Sequence, residues 1–91
     1  AVKWYRLAAV HGNESAQVNL GVMYTHGRGV GQDFARAHMW FNLAAAVSTG
    51  NSRDTAIENR ERIASKMTAE QIGTAQEMAR RCQESKFKNC D

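Results

Sequence analysis

Proline is absent from all 91 residues, and Leu, Ile and Val are sparse. The first absence removes the residue that breaks a helix by losing an N–H and clashing with the preceding turn. The second leaves Ala, with two Trp, two Tyr and three Phe, to supply much of the packing, which is the composition of closely approaching helices. No run approaches the roughly 18 apolar residues that span a bilayer, and no charged-then-apolar leader opens the chain, so no membrane span is expected. Charge of one sign is also lacking. Twelve basic against nine acidic side chains give +3, a mild preference for an acidic partner that is far too weak to imply nucleic acid, and none is expected.

Several chemical signatures are missing as well. The Gly27-Arg28-Gly29-Val30-Gly31 segment lacks the lysine of a phosphate loop and the spacing of a dinucleotide fingerprint, so it reads as a turn with Arg28 exposed. His11, His26 and His38 fall in three separate helices, none with a second ligand at the i,i+4 spacing that zinc enzymes use, so neither metal nor cofactor is expected. No nucleophile stands beside a base and no carboxylates are paired locally. Catalytic residues are therefore expected to be none.

What remains is rich in Ala, Gln, Glu, Arg and Met, residues that lose little side-chain entropy in a helix. The fold expected is all-α. A chain this short buries about 60 to 65% of its unfolded surface, so one modest core is the limit. Shifting the sequence by 36 positions aligns Ala1, Trp4, Tyr5, Leu7, Ala8 and Ala9 with Ala37, Trp40, Phe41, Leu43, Ala44 and Ala45. The register then drifts, Gly12 and Asn13 matching Gly50 and Asn51, and Ala16 and Asn19 matching Ala56 and Asn59. A period in this range marks stacked supersecondary units, none of which buries its apolar face alone. The chain opens inside such a unit and without an initiator methionine, which reads as a cut or processed edge preceded by more chain.

Punctuation divides the sequence into five helices. The first runs from about 1 to 11 and is closed by Gly12. Asn13 caps a second, 14–26, whose stripe is Ala16, Leu20 and Tyr24, with Gly21 allowing close approach of a neighbour. Asp33 caps a third, 34–48, with Phe34, Ala37, Phe41, Ala44 and Ala45 inward. A fourth, about 53–67, buries Ala56, Ile63, Ala64 and Met67 and pairs Glu58 with Arg62 on its outer side. Thr68 and Gln71 form a capping box for a fifth, 69–84, carrying Ile72, Ala75, Met78, Ala79 and Cys82 at helical spacing.

The stretch Ala16-Gln17-Val18-Asn19-Leu20-Gly21-Val22-Met23-Tyr24-Thr25-His26-Gly27-Arg28-Gly29-Val30 resembles the A-x-x-x-L-G-x-x-Y-x-x-G-x-G-V pattern of the Sel-one-like repeat family, relatives of the tetratricopeptide repeats. The agreement extends through Asp33, Phe34, Ala37, Trp40, Phe41, Ala44 and Ala45, and the half-repeat at Ala1, Trp4, Tyr5, Ala8 and Ala9 shares it. Beyond Gly50 the pattern departs: Arg60 stands for Leu20, Ala64 for Tyr24, and no second glycine loop follows. The resemblance implies an α-solenoid of antiparallel helix pairs: residues 1–12 the second helix of a truncated repeat, 13–50 one full repeat, and 51–91 a C-terminal cap like those of bacterial members. It further implies a scaffold or adaptor that binds a protein or peptide. A purely structural cap of a longer solenoid is the alternative, and a hydrolase activity finds no supporting residue set.

In relatives of this architecture the first helix of each pair lines a concave face, here the helices near 14–26 and 53–67. Asn19 and Asn59 occupy matching places, and their amides can both donate to and accept from an extended peptide. Val22, Met23 and His26 flank Asn19 by about one turn, the thioether of Met23 suiting an adaptable surface. These five residues are the expected peptide-binding site, unless Asn19 bonds within its own repeat and Met23 packs in the core. Trp4 and Trp40 read as inter-helix packing. Trp4, Tyr5 and Leu7 would nevertheless lie on an open N-terminal edge, which permits self-association. Cys82 and Cys90 form an even pair near one end, compatible with a disulfide turned at 86–89 or with two free thiols. A bridge would place the protein in the periplasm or outside the cell, since cytosolic thiols stay reduced.

Overall fold

One helix holds the molecule together. In the computed structural model, which describes residues 2–88 and Cys90, α3 (Phe34–Val47) packs against α2 (Glu14–His26), α4 (Gly50–Ala64) and α5 (Ala69–Glu84). The remaining helix, α1 (Val2–Val10), packs on α2. The described residues are all helix, turn and loop, an α-solenoid arrangement of antiparallel pairs. Ala1, with its place in the repeat, lies outside the described residues, as does Asn89 in the turn expected at 86–89.

Composition explains the hub. Ala37, Trp40, Leu43 and Ala44 of α3 are fully buried, and Phe41 nearly so, facing three helices at once. Small residues recur where backbones approach. At Gly21 a Cβ would stand 2.5 Å from the Phe41 ring, so glycine is the residue that lets α2 and α3 close on each other. The α1–α2 contact uses polar groups instead: the buried Gln17 Nε2 donates to Ala9 O at 3.0 Å, and Arg6 Nη2 donates to the Tyr24 hydroxyl at 2.8 Å. Ala9 O, in the last turn of α1, thus accepts the Gln17 amide as well as the Gly12 N–H at 3.0 Å.

Caps set the boundaries. Asn13 Oδ1 accepts the Ala16 N–H at 2.9 Å, Asp33 Oδ1 accepts the Arg36 N–H at 3.1 Å, and Thr68 with Gln71 forms both halves of a capping box. Gly27 and Arg28 N–H groups both close α2 on Met23 O. The fourth helix departs from expectation by starting near Gly50 and stopping at Ala64. Gly50 takes a left-handed φ of +59°, which turns the chain directly into the helix. At the other end Lys66 and Met67 N–H bond to Ile63 O and Ala64 O, so the last residues tighten into i,i+3 turns.

Two expectations about side chains are corrected. Trp4 does not share the burial of its counterpart: Trp4 is 63% exposed and Leu7 61%, whereas Trp40 is 0% exposed. α3 has helices on several sides, but α1 rests on α2 and carries no helix over the Trp4 face among the described residues. Glu58 and Arg62 form no ion pair among the described residues, because Arg62 is turned toward α2.

The outer face of α5 is a charged lattice in which Arg80 bonds both Glu77 and Glu84, and Arg81 reaches Glu77 at 3.3 Å. Glu77 is held below the usual carboxylate range by its hydrogen bond from Arg80. These exposed pairs keep the surface polar and contribute little to stability. Beyond α5 the chain reverses through Lys86 and Phe87, and Cys90 is bonded to Cys82.

Candidate functional site

The α2 and α4 helices run in the same direction on one face of α3. Their first turns share one cavity, lined by Glu14, Ser15, Val18, Asn19, Ser48, Ser52 and Thr55. Their last turns share another, where Val22, Thr25 and His26 face Asn59, Arg62 and Ile63. The first cavity measures about 310 Å³ and the second about 180 Å³. Both belong to one groove, because the lining positions fall at i, i+3 and i+4 along each helix and therefore form a continuous stripe. Its floor is α3: Phe41 under one end, Ser48 under the other, and Ala44 and Ala45 between them against Val18, Ala56 and Ile57. Alanines on the floor keep the groove open, since a longer side chain there would fill it.

The expected site residues separate within this frame. Asn19 lies in the larger cavity; Val22, His26 and Asn59 line the smaller one. Met23 lines neither and packs half-buried against the core, because its position on α2 faces away from α4. Asn19 and Asn59, equivalent in the repeat, are not opposite one another. Asn19 stands level with Ser52 and Thr55, Asn59 level with Val22 and His26, about one turn further along.

Sequence reading missed the hydroxyl and cationic lining. Ser15, Ser48, Ser52 and Thr55 surround Asn19, and Arg62 and Lys66 stand beyond Asn59. The polar stripe 52, 55, 59, 62 and 66 on α4 was the signal that could have found them. Ser48 is only 5% exposed, and its hydroxyl has no protein partner among the described residues. Thr49 caps α4 without a side-chain bond, which leaves N–H groups of the first turn beside Ser52 unmatched by a cap.

A third recess, of about 270 Å³, opens between α3, α4 and α5 around His38, Asn42, Arg60 and Gln76. Arg60 Nη1 donates to Asn42 Oδ1 at 2.9 Å, and the guanidinium also pairs with Glu61. His38 is 3% exposed and its Nδ1 has no partner among the described residues. Burial, and secondly the charge of Arg60, push its pKa below the ordinary histidine value of 6.5, Glu61 opposing them. The fold therefore favours neutral His38, and below pH 6.5 the unfolded chain binds more protons. The His38 contribution to stability is full above that pH and is lost as pH falls toward the depressed folded value. Thermal midpoints measured at pH 7.5 and 5.5 are expected to fall further for the native chain than for His38→Gln; equal falls would refute this role.

Among the described residues no cluster of three His, Cys, Asp or Glu side chains could hold a metal, and no helix is long and apolar enough to cross a membrane. Paired helices stacked on a shared hub, with a solvent-open groove along one face, define a helical-repeat scaffold. The chain belongs to the Sel1 repeat family, whose model matches residues 1–13 and 14–47. Members of that family generally serve as protein-interaction scaffolds. No curated protein and no solved structure matches the chain.

Proposed function

We propose that the chain is a peptide-binding adaptor module in which α2 and α4 grip an extended segment of a partner protein, while residues 51–91 cap the solenoid. The observation that carries this reading is the stagger of Asn19 and Asn59 along a groove of two parallel helices. A helical turn advances about 5.4 Å, close to the roughly 6.6 Å between alternate residues of an extended chain. Two amides so placed can each bond one backbone peptide group of the same segment, and the hydroxyls of Ser15, Ser52 and Thr55 add further donors and acceptors. The polar lining and alanine floor suit main-chain recognition, in which hydrogen bonds hold the segment and pockets select its side chains.

The reading is tested with peptides selected from a display library on the folded chain. Asn19→Ala and Asn59→Ala are each expected to weaken binding about 3- to 10-fold, the worth of one hydrogen bond. Thermal stability should change little, because Asn19 is exposed and Asn59 half-buried. Unchanged affinity with a lowered melting temperature would assign the two amides to the fold and leave the capping role alone.

A further inference from the structure

The two ends of the groove differ in charge. Glu14 is the charged residue in the cavity at the first turns, whereas Arg62, Lys66 and His26 surround the cavity at the last turns and no carboxylate lines it. Arg62 and Lys66 are exposed and form no ion pair among the described residues. Arg60, Arg80 and Arg81 by contrast each hold a carboxylate. Beneath the cations lie Val22, Phe41 and Ile63, an apolar floor in a cavity of about 180 Å³. That is smaller than the roughly 300 to 1,000 Å³ of small-molecule sites and fits a single side chain.

We propose, building on the groove reading, that this end of the groove selects an acidic peptide segment. An aliphatic side chain of the segment enters the cavity, and an Asp or Glu one or two residues away meets Arg62 and Lys66. Charge-assisted bonds to a carboxylate would give the cations a partner that the described residues do not supply. A competing role exists for Arg62, which occupies the last turn of α4, where a cation opposes the negative end of the helix dipole. Dipole stabilisation has no bearing on which peptide is chosen, and the two roles separate on that point.

The experiment selects random peptides by display on the full 91-residue chain and on its Arg62→Glu/Lys66→Glu variant. The winners are then resynthesised with amidated C-termini and, in parallel, with each Asp or Glu replaced by Asn or Gln. The native chain is expected to enrich Asp or Glu beside an aliphatic residue and to bind these peptides about three- to tenfold more tightly than their amide isosteres, in line with two exposed ion pairs. High salt should close that gap, Arg62→Lys should preserve it, and the charge-reversed variant should enrich Lys or Arg instead. Equal binding of acidic and amide peptides overturns the proposal, as does a charge reversal that lowers only the melting temperature. Loss of binding on amidation alone also overturns it, assigning the carboxylate to a chain end. In those cases peptides that remain sensitive to Asn19→Ala and Asn59→Ala leave the groove reading standing. Failure to enrich any peptide sensitive to those substitutions removes both.

Discussion

Trp40→Ala is expected to destabilise the protein by about 3 to 5 kcal/mol, against a total stability of roughly 5 to 14 kcal/mol for a chain of this size. The indole is fully buried at the centre of α3, where α2, α4 and α5 all meet the helix, so neighbours cannot collapse into the space from a free side. One effect opposes the loss. Nε1 of Trp40 is buried without an acceptor among the described residues, and deleting it relieves that desolvation. Trp40→Phe, which removes the orphaned donor but keeps a ring, should therefore cost much less. The control is Trp4→Ala, the equivalent position one repeat earlier. Trp4 touches Tyr5 edge-on but is otherwise largely in solvent, so its removal should shift stability by no more than about 0.5 kcal/mol. Urea unfolding of the three variants checks the set. Equal costs at Trp4 and Trp40 would contradict the placement of α1.

Reduction of the Cys82–Cys90 bridge is expected to cost about 2 to 3 kcal/mol through the freedom returned to the unfolded chain, and to lower the melting temperature by roughly 8 to 20 °C. The bridge closes a sequence separation of eight residues onto the core face of α5, where Cys82 is fully buried and Phe87 packs alongside. It also holds an unfavourable backbone. Lys86 and Phe87 both have positive φ, +57° and +68°, where a side chain crowds the backbone. Phe87 N–H bonding to Cys82 O at 2.8 Å, Lys86 N–H bonding to Gln83 O at 3.0 Å and Lys88 N–H bonding to Ser85 Oγ at 3.1 Å also tie this reversal. Melting with and without reductant measures the effect, and mass analysis after alkylation identifies the species. Two labels taken up before reduction, or an unchanged melting temperature, would contradict a stabilising bridge.

Where the sequence was legible, a local physical rule decided the outcome. Asn13, Asp33 and the Thr68–Gln71 pair cap helices because their side chains reach an orphaned N–H three residues away, a relation complete within four residues. Gly21 was legible through the repeat, and its meaning is tertiary: the Phe41 ring fills the place of a Cβ. What stayed hidden depends on which helix faces which. Trp4 and Trp40 occupy equivalent repeat positions, yet one is covered and the other is not. Met23 and Asn19 lie on one helix about a turn apart, and only the position of α4 sends the first to the core and the second to the groove. The expected Glu58–Arg62 pair had correct helical spacing, but at an exposed site its energy is too small to hold both side chains together. His38 gave no sequence signal, since its perturbation comes from burial between helices and from Arg60, 22 residues away.

The exposed face of α1 and the outer face of α5 differ in chemistry, which bears on whether the two surfaces could pack on each other. Such packing between copies would be a heterologous contact, in which one patch meets a different patch. Here α1 presents Trp4 and Leu7 to solvent, and the outer face of α5 presents the Glu77, Arg80, Arg81 and Glu84 lattice. Pressing indole against that lattice would strip water from charges and give them no new partner. The exposed α1 face and the charged outer face of α5 are thus not complementary to one another.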